Sequence, residues 1–203
     1  MPDQTQHPDP SRPGGDDPGA EPFSWDGAWE ALGGRPSSER SVNIGVLALD
    51  RHVAAGRGDR IALRCIGRGP EAIDAPFDVT YAELAARTDR FAGALSRHGF
   101  APGAGLATLT GRIPELYVAV LGALKAKLVV TPLFSAFGPD PIAQRLQLGH
   151  IRVLVTTLPA LRRKVAPLFE RLPDLGLVLV VGTSDDELRP HRAAGCLLYT
   201  SDA

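Results

Sequence analysis

Three consecutive cations, Arg162, Arg163 and Lys164 in "LPALRRKVAPL", form the densest basic cluster of the chain. They follow the strand-like run "VLVTT" and stand in the first turns of a segment with helical pattern, where unpaired backbone N–H groups and the helix dipole favour an anion. The chemistry on offer is phosphate binding, and the competing reading is a solvated basic face. Consecutive helical residues fan out by about 100° each, so at most two of the three reach one ligand.

Two further loops follow strand-like runs. After "LATLT" comes Gly111-Arg112-Ile113-Pro114-Glu115. Pro114 suits the first position of a helix and Glu115 complements its dipole, which is plain capping; Arg112 is the residue that could do more. After "LVV" comes "TPLFSAFGPD", where Pro132 ends a strand, Phe134 and Phe137 offer two flat faces, and Ser135, Ala136 and Gly138 leave room for close approach. Pro139 then opens a helix with Asp140 in its first turn. Packing of both rings on the top of a sheet is the competing reading. No GxGxxG follows a strand, and neither GxxxxGK[ST] nor GxSxG occurs. His7, His52, His98, His150 and His191 are scattered without metal-ligand spacing. The chain therefore offers a candidate anion site, no catalytic residue and no metal site.

Composition bounds what such a site can serve. With 22 Lys+Arg against 23 Asp+Glu in 203 residues, nothing global points to a nucleic-acid or membrane partner. Cys65 and Cys196 lie far apart, which argues against a metal site or disulfide framework and makes a reducing cytoplasm the default. The N-terminus lacks the apolar core of a signal peptide, and Lys125 and Lys127 interrupt the most apolar stretch.

The elements that must position these residues follow a repeating grammar. Residues 1–22 are rich in Pro, Gly and Asp and read as a disordered tail. "FSWDGAWEALGG" is a short amphipathic anchor, and "NIGVLALDRHVAA" reads as one helix with Asn43 as N-cap and Ile44, Leu47 and Val53 at helical spacing. "RIALRCI" alternates Ile61, Leu63 and Cys65 as a half-buried strand, and 67–76 is a loop. "TYAELAARTDRFAGALSRHG" carries a capping box, Thr80 with Glu83, and a stripe through Leu84, Thr88, Phe91 and Leu95 that Gly99 stops. Strand "LATLT", helix "PELYVAVLGALKA", strand "LVVTPL", helix "PDPIAQRLQLGH", strand "VLVTT", helix "PALRRKVAPLFERL" and strand "LVLVVG" then alternate. This is an α/β chain of βαβ units forming a mostly parallel sheet with helices on both faces. "AAGCLLYTSDA" offers no element long enough to continue the pattern, and 193–203 is expected to be a tail not native to the fold.

Taken in order, "FSWDGAWEALGG", "NIGVLALDRHV", "TYAEL", "GRIPELYVAVLGALKA" and "PLFSAFGPDPIAQRL" resemble the N-terminal part of acetyl-CoA synthetases, the AMP-forming acyl-adenylating enzymes. The resemblance runs from about Phe23 to about Gly182. It implies an incomplete N-terminal domain of the adenylate-forming fold, with an extension over 23–78 and a partial AMP-binding domain over 79–192. It further implies ATP and coenzyme A as substrates, with magnesium balancing the triphosphate, and a reaction that joins acetate to AMP before the thiol of coenzyme A displaces it. The family contacts coenzyme A phosphates with an Arg pair spaced i, i+3; Arg162 matches the first, and Val165 stands at the second with Lys164 beside it. Arg162 is thus expected to lead Arg163 and Lys164 in binding coenzyme A. The family usually has Gly where this chain has Lys127, and a charged pair at Ala104-Gly105. Its Gly-rich phosphate loop, its acyl pocket and its adenylation lysine have no counterpart in these residues, so the segment alone is expected to be inactive. Two alternatives stand: a non-catalytic α/β module binding coenzyme A or another phosphorylated ligand, and part of a ligase for propionate or another short-chain acid.

Overall fold

A computed structural model describes residues 23–32, 42–66, 77–191 and 197–200; the expected tail at 1–22 and loop at 67–76 lie outside them. The chain divides into two compact units, Met1–Ser41 and Val42–Ala203. In the first, helix α1 (Trp25–Ala31) begins where the Ser24 hydroxyl accepts the Gly27 N–H at 3.0 Å. The Phe23 and Trp25 rings meet edge to face and are exposed.

The second unit opens with α2 (Ile44–Ala48) and α3 (Asp50–His52), then a wide π turn, Val53–Arg57. The single helix expected here is therefore broken. Asn43 does cap α2, accepting the Val46 N–H at 3.2 Å, but Leu49 (φ −122°) leaves helical geometry and Gly56 turns left-handed at φ 72°. Leu49 goes into the core while Ile44 and Val53 are exposed, because the break rotates the second piece relative to the first.

Strand β1 (Ile61–Cys65) pairs antiparallel with β2 (Phe77–Thr80), a partner that the sequence pattern did not reveal. Ile61 is exposed rather than half-buried, and Val79 supplies the buried residue of the pair. Helix α4 (Tyr81–Arg97) follows directly, closed by the expected capping box: the Thr80 hydroxyl accepts the Glu83 N–H, and the Glu83 carboxylate accepts the Thr80 N–H at 2.8 Å. Leu84, Thr88 and Leu95 of the expected stripe are buried.

The sheet is built by β3 (Gly105–Leu109), α5 (Pro114–Lys125), β4 (Val129–Pro132), α6 (Pro139–Leu148), β5 (Ile151–Thr157), a helical segment, and β6 (Leu177–Val181). After β6 come α8 (Asp185–Leu188), a 3-10 turn and β7 (Leu197–Thr200). The helical segment between β5 and β6 contains α7 (Leu158–Ala160), a π turn over Leu161–Val165 and a 3-10 stretch over Ala166–Arg171. The continuous helix expected there does not form. Pro167 has no N–H to donate to the carbonyl four residues back, and its ring crowds that carbonyl, so the coil widens before it and tightens after it.

All pairings in the five-stranded sheet are parallel, in the order β4-β3-β5-β6-β7. Adjacent residues of one strand serve opposite faces, as the period of two requires. Ala107, Leu154 and Val178 pack with Ile142 and Leu146 of α6 and with Leu161, Val165 and Leu168. Leu106, Val153 and Leu177 pack with Leu95 of α4 and Ala119 and Ala123 of α5. Helices α4 and α5 meet at Gly122, where a Cβ would lie 2.8 Å from the Phe91 ring and 2.9 Å from the Thr88 carbonyl. Strand β7 corrects the expectation that nothing after 192 continues the pattern: four residues pair in parallel with β6.

Candidate functional site

In a parallel sheet, the loops leaving the strands gather along one edge, and side chains separated widely in sequence meet there. Here the C-terminal ends of β3, β4 and β5 enclose a shallow cleft of about 150 Å³. Thr110 and Gly111 come from the first loop, Ser135 from the second, and Thr157, Pro159, Ala160, Arg163 and Lys164 from the third. All three loops singled out in the sequence thus contribute, although Arg112 is exposed and is not among the lining residues.

The three cations have separate fates. Lys164 reaches across to the β4 loop, where its Nζ donates to the Ser135 carbonyl at 2.6 Å and to the Phe137 carbonyl at 2.9 Å. Arg163 is exposed at the rim of the cleft, with Nε donating to the Pro159 carbonyl at 3.2 Å. Arg162 is exposed outside the cleft, where its positive field reaches Glu187. The Glu187 carboxyl is held below the usual carboxylate range first by the Ser184 N–H, then by the Thr183 and Ser184 hydroxyls, with Arg162 adding to the effect. The helix start that was to favour an anion is only the three residues of α7, too short to present an aligned dipole. Positive charge at the cleft therefore comes from Arg163 and Lys164, whose partners here are neutral carbonyls.

The β4 loop is a built turn. Phe137 donates its N–H to the Phe134 carbonyl at 3.0 Å, the two rings stand edge to face with centroids 5.8 Å apart, and the Arg145 guanidinium lies 4.3 Å over the Phe137 ring. Phe137 packs on the core, as the simpler reading of the loop has it, whereas Phe134 is 65% exposed. Pro139 and Asp140 open α6 as expected. Thr110, Ser135 and Thr157 bring hydroxyl-bearing side chains to the cleft that the sequence pattern does not single out. The signal was present in "LATLT" and "VLVTT", which both end on Thr where a parallel strand reaches its ligand-facing edge. Among the described residues no group of three His, Cys, Asp or Glu side chains is placed to hold a metal ion. No described helix is long and apolar enough to cross a membrane.

Residues 50–195 match the family model for AMP-binding enzymes. The chain is 31% identical over 123 residues to the acetyl-coenzyme A synthetase of Streptomyces coelicolor, covering 61% of this chain and 18% of the relative. It is 33% identical to the acetyl-coenzyme A synthetase of Bacillus subtilis, covering 70% of this chain and 23% of the relative. Among solved structures, an acyl-CoA synthetase from Brucella canis superposes with a TM-score of 0.67 at 26% identity, covering 86% of this chain and 29% of that one. The chain spans about a fifth of the length of the curated relatives it matches.

Proposed function

We propose, since the chain belongs to the family of AMP-binding enzymes, that it forms part of an AMP-forming acetate–CoA ligase. In that reaction acetate attacks the α-phosphate of ATP, pyrophosphate leaves, and the thiol of coenzyme A then displaces AMP from the acyl-adenylate. The observation that carries the reading is the identity of 31% and 33% to relatives named acetyl-coenzyme A synthetases. The cleft at the sheet edge supports it: a positively charged rim beside three hydroxyl-bearing residues suits phosphate oxygens of a nucleotide substrate. Within this reading Arg163 faces the phosphates of coenzyme A, while Arg162, outside the cleft, contributes only its longer-range positive field.

The test is acetate- and CoA-dependent AMP formation, measured on the 203-residue chain and on a polypeptide extended in frame to the length of the relatives. AMP formation is expected from the longer polypeptide alone, because the transition state needs a preorganised phosphate cradle that the shorter chain does not carry. Turnover by the 203-residue chain above a heat-treated control, or failure of the longer one with every short-chain acid tried, would overturn the proposal.

A further inference from the structure

The sequence groups Lys164 with Arg162 and Arg163 as a ligand-binding cation, yet its ammonium is already committed. It spans 27 and 29 residues of sequence to hold two carbonyls of the same turn, Phe137 and Ser135. An ammonium has three N–H donors, so two of them are used on the loop. The turn that they grip is also fixed at its entry, where Leu133 donates its N–H to Thr108, and by the Phe137 ring against the core. Between these anchors the stretch Phe134–Gly138 has no strand or helix ladder of its own, and Ser135 forms one wall of the cleft. Arg163 spends only Nε on a neighbouring carbonyl, leaving the rest of a five-donor fork at the rim.

We infer that Lys164 is a positioning residue: it latches the Phe134–Gly138 loop into the shape that forms one wall of the cleft, and direct contact with an anionic ligand falls to Arg163. The division of labour rests on the reading of the cleft as a phosphate-binding site, but the latch itself does not. Because carbonyls carry no net charge, the latch leaves the positive field of Lys164 in place while fixing the loop.

The experiment is amide hydrogen exchange on the 203-residue chain, with coenzyme A titrated in parallel as the probe into the polypeptide extended to the length of the relatives. Lys164→Met should speed exchange at the Phe137 amide, whose N–H is the one in 135–138 with a backbone acceptor, by about tenfold, the loss expected for charge-assisted hydrogen bonds, while core strands keep their protection. Lys164→Arg, which can still donate to both carbonyls, should restore the loop to within about threefold of the parent. Arg163→Met should leave loop exchange unchanged and weaken coenzyme A. Should the Met variant lose its core protection, the same reading is taken on Lys164→Gln, whose shorter amide reaches at most one carbonyl and should loosen the loop to an intermediate degree. Loop exchange equal to the parent in Lys164→Met or Lys164→Gln, or equal loosening in Arg163→Met, would overturn the latch. A latch confirmed by exchange, with coenzyme A affinity of the extended polypeptide unchanged in Arg163→Met, would leave the latch standing and count against the cleft as a phosphate-binding site.

Discussion

At the scale of single residues, three adjacent cations turn out to do three different things. In a regular helix Arg163 would turn away from a ligand of Arg162; in the π turn Arg163 is the one at the rim of the cleft, so the ranking expected from sequence is lost. In the polypeptide extended to the length of the relatives, Arg163→Ala is expected to raise the apparent KM for coenzyme A by roughly tenfold, the worth of one charge-assisted contact, and Arg162→Ala by less than about threefold, with pyrophosphate exchange unchanged in both. A loss confined to pyrophosphate exchange would place both residues at the wrong substrate. A second residue-scale outcome concerns Glu83. Its carboxyl is held below the ordinary glutamate value of 4.5, first by the Thr80 N–H and then by the Thr80 hydroxyl. A depressed folded-state value stabilises the fold above pH 4.5, and the gain is lost as the pH falls through the folded-state value. Glu83→Gln should therefore melt below the parent at pH 7, with the gap narrowing as the pH falls below 4.5; a constant difference in Tm across that range would dismiss the charge effect. The capping box was legible because its parts lie three residues apart, whereas the reach of Lys164 across 27 residues leaves no local trace.

At the scale of elements, three helices end on a left-handed residue. After α4, Gly99 takes φ 78°, with Gly99 N–H to Ser96 and Phe100 N–H to Leu95. After α5, Lys127 takes φ 61°, with Lys127 N–H to Leu124 and Leu128 N–H to Ala123. After α6, His150 takes φ 45° and donates to Gln147. The first two are Schellman closures and α6 keeps one of the two bonds; the left-handed residue is usually glycine because a Cβ is disfavoured there. The resemblance had placed Lys127 where the family usually has Gly, and the backbone now gives the reason. Lys127→Gly and His150→Gly are each expected to stabilise the second unit by about 0.5 to 1 kcal/mol, the relief of left-handed strain outweighing the added freedom of the unfolded chain. That corresponds to a rise in Tm of roughly 1 to 4 °C. An unchanged or lower Tm in both would mean that the strain is absorbed elsewhere.

At the scale of the whole second unit, the residue that interrupted the most apolar stretch becomes its hub. Lys125, with only 5% of its side chain exposed, lies 2.8 Å from Asp50 and 2.7 Å from Asp89, tying α3 and α4 to the end of α5. Asn43 works at the same place from the other side, capping α2 with its oxygen while its Nδ2 donates to the carbonyls of Leu124 and Lys125. Lys125→Met should cost about 2 to 3 kcal/mol, less than for a fully buried pair because both acids keep some access to water. Denaturant unfolding checks this, and the double variant with Asp50→Asn should recover part of the loss; a single variant as stable as the parent would remove Lys125 from its central role. The alternation of strands and helices, the parallel sheet, the capping box and glycine stop of α4 and the proline-led starts of α5 and α6 were determined by the sequence alone, because periodicity and such signals are written within a few residues. The break in the lead helix, the unwinding before Pro167, the β1–β2 pair and the gathering of Thr110, Ser135, Thr157, Arg163 and Lys164 at one edge were decided only by tertiary structure. Each depends on which distant backbone a residue meets, and parallel strands bring together loops that no local pattern relates.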